Sequence, residues 1–312
     1  MKKIAYLMSA ISAGLFSSAA HADISVAGSA SVAYNGAGGN TTIIHGGSVS
    51  FGLSTTTDSG MTISSGAGIT RDTDGAGSAA VTGLSSVSFA TGGATITAGY
   101  DIGVADGAGS VGELVTVADF NSNGVTNTGG MGDDEGAGVS LSTSFGGAAL
   151  SVVYIYDKVA GSVTSGDLDG AANTGTSVTI SMPVAGGTLG GNYVSGDVNG
   201  TTDTESSATF SYPTGAGTLT LGYGSFEGDT TTTNGTTFGV AYSMDLDGTA
   251  IGLGYQSYDV NSKSGNSTDV TVSRSLGGGA SVFAEMRSTG GTVGTTSTKS
   301  TSTVAVGSSI SF

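Results

Sequence analysis

Apolar and polar residues alternate along most of this chain with a period of two. The run Ile24-Ser-Val-Ala-Gly-Ser-Ala-Ser-Val sets the pattern, and Val81–Phe89, Ala94–Tyr100, Leu150–Tyr156, Val178–Met182, Leu219–Tyr223 and Val270–Val272 repeat it. Strict alternation over four to eight residues predicts half-buried strands. Helical periodicity has no comparable match, and the glycine load would weaken helices further. Seven compact turns punctuate the runs: Thr55–Gly60, Thr91–Gly93, Gly146-Gly147, Gly186-Gly187, Pro213–Gly217, Asp245–Gly248 and Gly277–Gly279. Gly and Asp supply the positive φ that tight hairpins need. Longer polar segments fall between them, near 35–42, 72–79, 101–135, 158–174, 197–204, 227–235, 259–267 and 289–300.

Seven short and eight long connections predict about sixteen strands, each near the roughly ten residues that a tilted membrane strand needs. The alternation short, long, short carries information of its own. In an up-and-down antiparallel barrel, alternate connections emerge at opposite ends. Short turns at one end and long loops at the other are the arrangement of transmembrane barrels.

The segment 101–135, DIGVADGAGSVGELVTVADFNSNGVTNTGGMGDDE, interrupts the beat. Loops of this length in a compact all-β chain are uncommon and usually functional or disordered. It holds Asp101, Asp106, Glu113, Asp119, Asp133, Asp134 and Glu135, and neither Lys nor Arg.

The N-terminus decides the compartment. Lys2 and Lys3 precede an apolar run, Ile4–Leu15, and Ala20-His21-Ala22 gives a small-x-small cleavage pattern. Residues 1–22 read as a secretory signal peptide, and 23–312 as one barrel domain. The apolar run is too short for a spanning helix. Two of eight basic residues leave with the signal and all 24 acidic ones stay, so the mature chain carries 6 − 24 = −18. So acidic a chain excludes a nucleic-acid partner, which needs a basic face. No later run approaches helical-span length, so entry into a membrane requires a closed barrel. Aromatic residues, among them Tyr34, Tyr100, Phe145, Tyr223, Phe226 and Tyr258, lie mostly at strand ends, where two interfacial girdles would put them.

Other chemistry finds little support. The chain has no Cys, which excludes disulfides and thiolate metal sites. His45 is the only His beyond the signal and reads as a polar residue at a strand start, so no catalytic constellation is expected. Asp72-Thr-Asp74-Gly75, Asp167-Leu-Asp169-Gly170 and Asp133-Asp134-Glu135 offer hard oxygen ligands for calcium, without EF-hand spacing. Short D-x-D-G pieces are also ordinary turn chemistry. A secreted Gly/Thr-rich β-solenoid of adhesin type would share the acidity and the signal, but it would show a fixed repeat period.

Three patches carry a family resemblance. Gly52–Thr62 (GLSTTTDSGMT) resembles the second hairpin of alphaproteobacterial general porins, and Ser275–Val282 (SLGGGASV) resembles their last periplasmic turn. The ending Ser311-Phe312 is similar to the terminal aromatic that outer-membrane barrels present to their assembly machinery. The resemblance implies a sixteen-stranded, usually trimeric barrel in outer-membrane lipid. It also implies passive diffusion of small hydrophilic solutes, no reaction and no cofactor. In such proteins the third long loop folds inward to face wall arginines, and 101–135 holds that ordinal place. Only Arg71, Lys158, Lys263, Arg274, Arg287 and Lys299 remain as basic residues here, so the arginine wall is largely missing. Alternation places Arg71, Lys158 and Arg274 at rims, and sets Glu285 and Arg287 on the lumen side, opposite Val282 and Met286. Loop carboxylates with few opposing cations predict a pore that prefers cations.

Overall fold

The computed structural model describes residues 22–37, 40–71, 80–104, 111, 114, 135–157, 173–198, 201–228, 234–260, 263–293 and 296–312. The strand segments run in chain order as β1 (Ala22–Ala37), β2 (Asn40–Thr56), β3 (Thr62–Arg71), β4 (Ala80–Gly83), β5 (Ser86–Thr91) and β6 (Ala94–Gly103). After the long loop come β7 (Glu135–Phe145), β8 (Ala148–Asp157), β9 (Asn173–Val184), β10 (Gly187–Val198), β11 (Thr201–Pro213) and β12 (Gly217–Gly228). The last are β13 (Gly235–Leu246), β14 (Thr249–Val260), β15 (Lys263–Gly277), β16 (Ala280–Val293) and β17 (Thr296–Ser311). Both β4 and β5 pair with β3, so they form one barrel strand broken at Leu84-Ser85, which makes sixteen in all. Every pairing is antiparallel between chain neighbours, and β1 pairs with both β2 and β17. The sheet is therefore a closed up-and-down barrel, as the alternation predicts. No helix among the described residues is long and apolar enough to cross a membrane, so any crossing falls to the strands.

All seven expected short turns are present, six of them at the expected residues. Gly146 and Gly147 both take positive φ (56° and 84°), the geometry of a two-residue hairpin whose twist matches its strands. The turn between β9 and β10 sits at Ala185-Gly186, one residue earlier than expected, with φ of 51° and 80°.

Register sorts the side chains onto two faces. Val26 opposes Phe51, Ile24 opposes Leu53, Tyr223 opposes Phe238 and Val304 opposes Met286, and all eight are exposed on the outside. Apolar surface facing outward and small polar residues facing inward is the reverse of a water-soluble barrel, and fits a wall bathed in lipid.

Several expectations are corrected here. Strands are longer than ten residues where the chain closes on itself: β1 has 16, β2 has 17 and β17 has 16. His45 consequently lies inside β2, exposed and opposite Val32, rather than at a strand start. Phe226 and Tyr258 are buried on the inner face and belong to no girdle. Each is an odd number of residues from an outward tyrosine, Tyr223 or Tyr255, and the period of two turns it inward. The long loop is also shorter than 101–135, because residues 101–103 belong to β6 and Glu135 opens β7.

Closure is completed by the last residue. Phe312 and Gly28 exchange both backbone hydrogen bonds, at 2.9 and 3.0 Å. The Phe312 ring covers Gly28 so closely that a Cβ there would meet Cζ at 2.5 Å. An aromatic ring over a cross-strand glycine supplies the packing that the glycine lacks. Phe312→Ala should lower barrel stability by about 1 kcal/mol, the usual worth of such a cross-strand pair. Semi-native electrophoresis should show a lower temperature for conversion of the folded to the unfolded band.

Candidate functional site: the barrel lumen

The inner face is built around the entry of the long loop. On β6 the register with β7 runs Gly99↔Gly138 and then Ile102↔Gly136, so one extra residue is inserted near Tyr100. Such a bulge reverses the alternation and re-aims the next side chains along the strand. Tyr100 stays outside, 66% exposed, while Ile102 and Val104 turn into the lumen, 4% and 5% exposed. There they join Val153, Ile155 and Val194 in an apolar cluster. Glycines let the backbone approach it: a Cβ on Gly175 would lie 2.8 Å from Ile155 and 3.3 Å from Val104.

The loop then reaches the far wall. Val111 is fully buried. A Cβ on Gly222 of β12 would come within 3.0 Å of Val111 Cγ1. One on Gly239 of β13 would fall 2.6 Å from the Val111 carbonyl and 2.8 Å from Leu114 Cδ1. These strands stand six places round the wall from β6 and β7. Val104 thus lies against the β8–β9 wall while Val111 and Leu114 lie against β12 and β13, and the two inward glycines, Gly222 and Gly239, are the seat on which Val111 and Leu114 rest.

The remaining wall has two characters. From Ser25 on β1 to Ser144 on β7, the described inner-face side chains are Ser, Thr, Gly, Ala and Asn, none charged. Many of their hydroxyls pair across strands: Ser29 with Ser48 at 3.0 Å, Thr56 with Thr62 at 3.3 Å, and Ser88 with Thr97 at 2.8 Å. The opposite arc is bulkier and charged. Asp269 and Arg287 oppose each other on β15 and β16, with Arg287 Nε donating to Asp269 Oδ1 at 2.7 Å. Arg287 Nη2 stands 3.6 Å from Glu285 Oε1. Glu205 lies buried on the inner face of β11.

Of the residues singled out from sequence, Glu285 and Arg287 are therefore placed together on the inner face, with Phe283 beside them. Asp106, Glu113, Asp119, Asp133 and Asp134 lie outside the described residues, and Asp101 and Glu135 are placed only by their backbone, in β6 and β7. Asp72, Asp74, Asp167, Asp169 and Lys158 also lie outside them. Among the described residues no three His, Cys, Asp or Glu gather in a way that could hold a metal ion. Arg274 is at the short-turn end of β15, exposed, donating to Thr249 Oγ1 at 3.2 Å.

Sequence reasoning missed Asp269 and Glu205, although parity marks both. Asp269 falls out of step with Val270 and Val272, and Glu205 with Ala208 and Phe210. The apolar lumen cluster had a signal too, since Val153 and Ile155 make β8 apolar on both faces, as a strand covered on both sides must be.

Gly239→Leu should dislodge the loop, because a branched side chain cannot share space with the Val111 carbonyl. Overpacking of this kind costs about 1–3 kcal/mol. The outcome expected is a barrel that still folds but has a larger single-channel conductance, read in planar bilayers.

Known structures share this architecture. A loop-deletion mutant of OmpT, an outer membrane protein of Vibrio cholerae, superposes with a TM-score of 0.75 at 13% identity, over 93% of this chain and 99% of that one. Mutants of the Rh. blastica porin do so at 0.68 and 0.69, with 15% and 16% identity, over 93% of this chain and 100% of theirs. Identities this low speak for the fold. No curated protein sequence matches. The profile described as Gram-negative porin matches residues 9–308, nearly the whole chain. This chain belongs to the Gram-negative porin family.

Proposed function

We propose that this protein is an outer-membrane channel for passive diffusion of small hydrophilic solutes and ions, with a preference for cations. The observation that carries the reading is a closed sheet, apolar outside and hydroxyl-lined inside, with Val111 and Leu114 of the long loop seated against its inner wall. A water-filled lumen needs donors and acceptors on its wall, and the hydroxyl pairs of β1–β7 supply them. The chain catalyses nothing and needs no cofactor or bound calcium in this reading.

The cation preference rests on charge. The segment 105–134 carries Asp106, Glu113, Asp119, Asp133 and Asp134 with no Lys or Arg, and the first seven strands offer no described inner-face cation against them. A negative lumen concentrates cations and repels anions. Residues 1–22 act as the export signal, leaving a mature chain of charge −18 (6 − 24). The resemblance of Gly52–Thr62 and Ser275–Val282 supports the alphaproteobacterial branch of the family and, with it, a homotrimer. Phe312 is the residue we assign to recognition by the barrel-assembly machinery. An adhesin-type solenoid is not favoured, because a solenoid does not close β1 onto β17.

The test is reconstitution of the refolded protein into planar bilayers under a KCl gradient. Stepwise conductance with a potassium-to-chloride permeability ratio above one is expected. Folded, inserted protein without conductance would contradict the channel, and chloride preference would contradict the role given to the carboxylates.

A further inference from the structure

The lumen has one cation with a described side chain, and the wall encloses it in carboxylates. Arg287 faces inward from the middle of β16, with its side chain 5% exposed. Its cross-strand partner in register is Asp269, which receives the Nε–H at 2.7 Å, and Glu285, two residues earlier on the same face, stands 3.6 Å from Nη2. The side chains of Asp269 and Glu285 are 9% and 0% exposed. The three formal charges sum to −1 − 1 + 1 = −1. Arg274, the other basic side chain described, points elsewhere: it shares parity with the outward Val270 and Val272 and bonds Thr249 at the short-turn rim.

We propose that Asp269 is a selectivity-determining residue of the channel: it masks Arg287, so that the only described lumen guanidinium does not attract anions. The inference rests on the channel reading above. A guanidinium on a pore wall normally favours anions. Here the field that a permeant ion meets is that of the whole cluster, and Asp269 and Glu285 turn its sign. On β1–β7 there is no described inner-face cation, and the described inner-face carboxylate there, Asp23, stands at the short-turn end of β1. The effect of one residue is therefore not diluted by neighbours on that arc. Since charges near a protein surface interact through a moderate dielectric, enclosure weakens the field without abolishing it.

The charge sum can be stepped without changing shape. Arg287→Gln gives −2, the natural protein −1, Asp269→Asn 0, and Asp269→Asn with Glu285→Gln gives +1. Asn retains an oxygen that accepts the Arg287 Nε–H, so Asp269→Asn removes charge while keeping the contact. Arg287→Lys and Arg274→Gln serve as controls, the first preserving the sum and the second changing charge away from the lumen. The measurement is the reversal potential of each refolded, heat-modifiable variant under a KCl gradient in planar bilayers. The potassium-to-chloride permeability ratio is expected to fall in the order Arg287→Gln, natural protein, Asp269→Asn, double variant, with both controls close to the natural value. The spread should be widest near 0.01 M salt, where the Debye length is about 30 Å, and narrow toward 1 M, where it is about 3 Å.

A purely structural role for the triad would change the melting temperature of the folded band but leave the ratio unordered, and that result overturns the proposal. If Arg287→Gln does not fold, Asp269→Asn alone decides: an unchanged ratio overturns the masking. Absence of conductance from the natural protein would instead remove the channel reading itself, and this proposal with it. A conducting protein with an invariant ratio removes only the role of Asp269.

Discussion

Sheet closure is the constraint on which the rest of this structure depends. In lipid no water is at hand to satisfy a peptide N–H or C=O, and each unsatisfied group costs several kcal/mol. A strand survives there only with a hydrogen-bonded neighbour on both sides. The continuous pairing from β1 to β17 and back to β1 provides that for all sixteen strands. Phe312 extends the seam by one more pair of bonds to Gly28. Closure also divides the molecule into an outside and an inside, and the period of two then assigns every side chain to one of them.

That assignment explains how a chain with 57 glycines makes a stable sheet. Glycine weakens strands because it has no side chain to pack. Here a cross-strand ring repeatedly covers the gap: Phe312 over Gly28 and Phe210 over Gly187 outside, Phe226 over Gly235 and Phe283 over Gly307 inside. Elsewhere glycine is what makes room. Gly222 and Gly239 form the seat of Val111 and Leu114, and Gly175 lets Val104 lie close to Ile155. Val111 and Leu114 are held against the wall by apolar contact and steric fit.

Much of this was legible in the sequence because alternation is a strong, simple signal. It yielded the barrel class, the strand number and the seven turns without any three-dimensional information. What it could not supply was register across the sheet. Asp269 is 18 residues from Arg287, and only the pairing of β15 with β16 makes them partners. The bulge at Tyr100 was equally hidden, since one inserted residue reverses the parity of Ile102 and Val104 without leaving a compositional mark. Phe226 and Tyr258 turn inward for a related reason: position near a strand end does not set the face of a ring, and an odd spacing from Tyr223 and Tyr255 does. The far seat of the loop depends on contacts between segments more than a hundred residues apart, which no local pattern encodes.

The seating of Val111 and Leu114 on β12 and β13 is the most direct point at which to test this account, and the absence of cysteine makes it clean. Val111→Cys combined with Gly222→Cys would place two thiols in a chain that has no others, on the loop and on the wall six strands away. Under mild oxidation of the folded barrel, the account predicts a rapid intramolecular disulfide. It would be read as a reductant-sensitive mobility shift on boiled gels, with neither single variant showing one. Two thiols that remain free in a demonstrably folded double variant would contradict the docking of the loop on β12 and β13.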